Sequence, residues 1–118
     1  MKKLLLMFSL FVSLVTFAQT NGEMRIATST AVGQDFEFRV TRTNDASKVF
    51  VDWGDGNKQE ATLEGWSSNK KVTGKLLKDT IVVYGDFSAV EVSEAKATYL
   101  AFKNQPNLKQ VEAKRNEL

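Results

Sequence analysis

The sequence predicts a mainly β protein: a small antiparallel sandwich or curled sheet, followed by the beginning of a solenoid. Two periodicities carry that prediction. Between Glu23 and Tyr84 apolar residues recur at every second position, the spacing of half-buried strands, and turn residues separate the runs. From Val90 to Leu118 a longer period takes over. Shifting Val90, Val92, Ala95 and Ala97 by twenty-one positions lands on Val111, Ala113, Asn116 and Leu118. That period falls among short solenoid repeats, roughly 20–29 residues, whose apolar face needs a neighbouring repeat to cover it.

The chain opens with the layout of a secretory signal. Lys2 and Lys3 precede an apolar run from Leu4 to Phe17, and Thr16 and Ala18 supply the small residues before a cleavage site. Cleavage is expected after Ala18, leaving Gln19 first. The run is too short for a spanning helix, which needs about 20 residues, so no stable membrane span is expected after cleavage. The expected location is secreted or cell-surface. With no cysteine in the chain, neither disulfides nor a cysteine-linked lipid can form.

The strands follow in order. Met24 to Thr28 reads as an edge strand. Phe36, Phe38 and Val40 alternate with Glu37, Arg39 and Thr41, and Val49, Val51 and Trp53 repeat the alternation. Gln59 to Leu63 is a candidate return strand, Val72 to Leu77 another, and Ile81 to Tyr84 a β-branched run apolar on both faces. Gly54 and Gly56 can take the positive φ of a tight turn, Asp55 can bond the backbone that follows it, and Trp53 anchors the hairpin in the core. In the last segment Val90-x-Val92, Leu100-x-Phe102 and Val111-x-Ala113 give short strands ten and then eleven residues apart. Phe87 is expected to seal the junction between the two segments.

Two motifs resemble known families. Trp53-Gly54-Asp55-Gly56 resembles the signature turn of the polycystic-kidney-disease (PKD) type of immunoglobulin-like sandwich, in which Gly-Asp-Gly follows an aromatic residue. Leu108, Val111, Ala113, Asn116 and Leu118 are similar to the leucine-rich-repeat consensus. In that family the Asn side chain bonds backbone groups inside the bend, which implies this role for Asn116; Gln105 and Ala95 hold the equivalent places as weaker or incapable substitutes. The order of parts resembles bacterial secreted leucine-rich-repeat surface proteins. On that resemblance residues 1–18 are the signal peptide, 19–86 a PKD-like β domain, and 87–118 the cap and start of a longer leucine-rich-repeat array. It implies a binding or adhesion role toward an extracellular protein or glycan, without a cofactor.

Composition narrows the function further. Losing Lys2 and Lys3 with the signal leaves fourteen basic residues against fourteen acidic ones. No basic run exceeds two adjacent residues, so the electrostatic footprint of a nucleic-acid binder is missing. The absence of histidine and cysteine removes the commonest general base, the thiolate nucleophile and most zinc ligands, which points away from an enzyme. Asp52, Asp55 and Asp86 are too sparse for the six or more oxygens that calcium takes.

Partner-binding candidates remain. Gln110, Glu112 and Lys114, with Tyr99, Ala101 and Lys103 on the preceding leg, alternate with the inward positions Val111 and Ala113 and so face solvent. Trp66 lies in a loop. Large aromatics are buried on average, so its expected place is folded back over the open end of the core. A carbohydrate-binding accessory domain would instead expose it beside a shallow groove, and a purely structural cap or spacer would need no ligand.

Overall fold

The computed structural model describes residues 22–118; the signal segment and its cleavage site lie outside the described residues. Nine strands are present and no helix among those residues: β1 (Glu23–Thr28), β2 (Asp35–Arg42), β3 (Phe50–Asp52), β4 (Gln59–Glu60), β5 (Asn69–Lys75), β6 (Thr80–Tyr84), β7 (Phe87–Glu91), β8 (Ala97–Lys103) and β9 (Gln110–Glu112). They form two sheets. The first has the order β4-β3-β6-β1-β8 and is antiparallel throughout; the second runs β5-β2-β7-β9. The second is mixed, because β9 lies parallel to β7.

Alternation explains why the sheets form one core. Phe36, Phe38 and Val40 of β2 and Val72 of β5 are buried with Met24, Ile26, Val51, Ile81 and Val83 of the first sheet, while their sequence neighbours are half-buried or exposed. Each such side chain contributes about 1.5–3 kcal/mol when fully removed from water. Trp53 closes one end. Its ring is 6.3 Å from that of Phe38, and it packs so tightly under β5 that a Cβ at Gly74 would lie 2.3 Å from Trp53 Cζ2. Glycine at 74 is therefore a packing requirement.

The last segment extends both sheets. Val40 pairs with Val90 across β2 and β7, and Ile26 pairs with Leu100 across β1 and β8. Val90, Val92, Ala95, Ala97 and Phe87 join the same buried cluster, Phe87 with no exposure at all. Thr28 fastens the segments further by donating from its buried hydroxyl to the Ala95 carbonyl at 2.7 Å.

Several expectations change. β1 is an interior strand between β6 and β8, because the last segment supplies the partner that would otherwise leave it at an edge. The return strand at Gln59 shrinks to Gln59–Glu60, with one further bond from the Ala61 amide to the Val49 carbonyl. Val111 faces the same way as its partner Val90 yet is 43% exposed, since nothing stacks beyond β9 among the described residues.

Candidate functional site

Three structured features are candidates for function, and the first is the sharp turn after β3. Gly54 has φ +128 and Gly56 φ +84, a region open to glycine because it lacks a Cβ. The Asp52 carboxylate accepts from the Gly54 amide at 2.8 Å and the Gly56 amide at 3.1 Å, and Asp55 accepts from the Asn57 amide at 3.1 Å. The Leu77 amide donates to the Trp53 carbonyl, docking the turn on the loop before β6. These carboxylates are committed to backbone donors. Among the described residues no group of three or more acidic side chains could hold a metal ion.

Beside this turn Lys58 Nζ lies 4.0 Å above the Tyr84 ring, an exposed-edge cation–π contact. Burial of the Tyr84 phenol, with lesser contributions from the Glu23 and Asp52 carboxylates, raises its pKa above the ordinary tyrosine value, against a smaller opposing effect of Arg25.

The second feature is a pair of corners closed by side-chain amides. Asn116 Oδ1 accepts from the amides of Ala95 at 3.0 Å and Ala97 at 3.1 Å, and its Nδ2 donates to the Val92 carbonyl. Gln105 does the same at the corner before β7: Oε1 accepts from the Phe87 amide at 3.1 Å and Nε2 donates to the Gly85 carbonyl at 2.8 Å. Gln105 thus closes its corner as well, accepting one backbone bond where Asn116 accepts two. Ala95 has no side-chain acceptor, but its own amide is satisfied from Asn116.

The pairing of β7 with β9 follows the sequence period. β7 and β9 pair with Ala89 opposite Gln110, Val90 opposite Val111 and Glu91 opposite Glu112, each a shift of twenty-one residues. Beyond the strands the Val92 amide donates to the Glu112 carbonyl and the Glu94 amide to the Lys114 carbonyl. Glu94 and Arg115, also twenty-one apart, both have positive φ (54 and 56) and form an ion pair. The Glu117 amide then donates to the Ala97 carbonyl at 2.9 Å, so the chain begins to stack on β8 as well.

The third feature is the outer face of the second sheet. Because Val40, Val72 and Val90 point inward, Thr41, Lys71, Ala89 and their neighbours point out. Register aligns them in rows: Asn69, Thr41, Ala89 and Gln110 form one, and Lys71, Arg39, Glu91 and Glu112 the next. A depression of ≈ 160 Å³ lies over Thr41, Ala89 and Gln110, and a second of ≈ 380 Å³ lies over Arg39, Lys71 and Trp66; Asn69 lines both.

Trp66 is 99% exposed, so the expectation that it folds back over the core is overturned. The physical reason is local. Glu64 and Lys71 bond each other's backbone at 3.0 and 2.8 Å, closing a hairpin loop that holds Trp66 in solvent, and the buried Trp53 already fills the end of the core.

The sequence candidates are therefore divided between two faces. Trp66, Gln110 and Glu112 border the outer face of the second sheet, with the exposed Lys114 just past β9. Tyr99, 55% exposed, Ala101 and Lys103 belong to β8 in the other sheet. Arg39, Thr41, Asn69 and Ala89 were not singled out from sequence, because only strand register reveals that they adjoin Trp66 and Gln110.

The fold and these sites define a two-sheet β protein with a polar groove on one face. Comparisons with protein-family models, with curated proteins and with solved structures give no match.

Proposed function

We propose that this chain is an exported, non-enzymatic binding module that starts a leucine-rich-repeat-like array: a PKD-like sandwich acts as the template, and twenty-one-residue coils stack on it. The observation that carries this reading is the parallel pairing of β7 with β9 at an offset of twenty-one residues, repeated in the Glu94–Arg115 pair and in the bond from the Ala95 amide to Asn116. Solenoid repeats stabilise one another through nearest-neighbour contacts, so a template with matched strands lowers the cost of the first coil. The half-exposed Val111 and the free edges of β8 and β9 are what a following coil would cover.

The test is to lengthen the chain after Leu118 by one or two copies of residues 98–118. Added coils should raise Tm stepwise and gain hydrogen-exchange protection at Val111 and Ala113. Appended copies that are cleaved freely by protease, with Tm unchanged, would refute the template reading. Export is tested separately by sequencing the N-terminus of the secreted protein, where Gln19 is expected first. The ligand of the module is an extracellular glycan or protein in this reading, with a purely structural spacer as the alternative.

A further inference from the structure

We infer that the groove across the outer face of the second sheet binds an uncharged glycan chain, with Trp66 stacking on one pyranose ring at its end. The inference rests on the reading of this chain as a binding module, and it names the ligand class and the face that takes it.

Three observations converge. The indole of Trp66 is wholly exposed, yet its loop is fixed by paired backbone bonds between Glu64 and Lys71, with Ser67 Oγ donating to the Asn69 carbonyl at 3.3 Å. An exposed ring on a fixed loop offers a flat apolar surface with little ordering cost, which suits the C–H face of a sugar. Next, the depression beside it shares Asn69 as a wall with the adjoining trough floored by Thr41 and Ala89. The groove crosses β5, β2, β7 and β9, about 14 Å at the usual strand spacing of about 4.8 Å, and each strand step is close to the length of one pyranose.

The third observation is chemical. Asn69, Gln110 and Arg39 supply donors, and Glu91 and Glu112 supply acceptors, so sugar hydroxyls find both kinds of partner along the trough. The charges are mixed, with Arg39 and Lys71 set against Glu64, Glu91 and Glu112. A polyanion would meet three carboxylates. A protein partner would want an apolar centre, whereas Val90 beneath the trough is buried and Trp66, at its end, is the exposed large apolar side chain among the lining residues. An uncharged chain fits this surface best.

The experiment is affinity electrophoresis of the exported chain in gels containing soluble xyloglucan, mannan or heparin, alongside Trp66→Ala, Trp66→Phe and Gln110→Ala. At least one neutral polysaccharide should retard the native chain, in high salt as in low. Trp66→Ala should weaken that binding tenfold or more with Tm unchanged, Trp66→Phe should restore part of it, and Gln110→Ala should weaken it several-fold. Retardation by none of the probes, by heparin alone, or undiminished in Trp66→Ala would overturn the inference, as would a loss of binding that merely follows a loss of Tm. The lengthened-chain experiment does not involve Trp66, so failure here and failure of the template reading are separable.

Discussion

The antiparallel part of the molecule, β1 to β6, and the coil from β7 to β9 are held together by different forces. In the former, large side chains such as Phe38, Met24 and Ile26 are wholly or almost wholly buried, and most of the paired strands are distant in sequence, as in β1–β6 and β2–β5. In the coil Phe87, Val90 and Val92 are buried too, but Ala95 and Ala97 fill the inward positions that follow, and Leu100, Phe102 and Leu108 are only partly covered. There the backbone carries more of the work, through the β7–β9 ladder and the amide-closed corners. The sandwich side chains are covered on both sides, whereas Val111 at the β9 edge is left 43% exposed among the described residues.

Substitutions can break or sharpen that contrast. The largest effect is expected in the sandwich: Phe38→Ala should cost about 3–5 kcal/mol in urea denaturation, while Val111→Ala in the coil should cost no more than about 1 kcal/mol. Equal losses would erase the distinction. Next come the corners. Asn116→Ala and Gln105→Ala each strand backbone groups that are partly shielded from water, for a loss of about 1–3 kcal/mol. Hydrogen exchange should localise the first to Ala95 and Ala97 and the second to Phe87; protection lost evenly over β2 and β5 would mean that the coil is not a separable layer.

A smaller change of opposite sign is expected at Lys96, an exposed residue with φ 53. Lys96→Gly relieves left-handed strain and should stabilise by up to about 1 kcal/mol, less the greater chain entropy of glycine when unfolded. The smallest effect is confined to high pH. The raised pKa of Tyr84 means that its proton is held more tightly in the folded chain, so this contribution is complete below about pH 10 and disappears as pH climbs through the raised folded value. A Tm–pH curve of Tyr84→Phe should fall less steeply above that point than the native curve.

Strand positions were legible in the sequence where alternation is strong. Phe36, Phe38 and Val40 announced β2, and the Trp53-Gly54-Asp55-Gly56 turn formed with both glycines at positive φ. The twenty-one-residue period was legible too, and it appears as the register between β7 and β9. Pairing between distant segments was not. Nothing in Met24 to Thr28 states that β8, more than seventy residues later, will cover its second edge. The groove was hidden for the same reason, since Thr41, Asn69 and Ala89 are unremarkable until register sets them side by side. Trp66 misled because average burial describes a residue type, while a closed loop on an already filled core decides the individual case.

The register between β7 and β9 also has a mechanical meaning. One circuit of twenty-one residues advances the stack by a single strand spacing, about 4.8 Å. The same residues drawn taut span about 70 Å. Peeling β9 and the circuit before it away from β7 under tension would therefore release about 65 Å of chain without breaking a covalent bond.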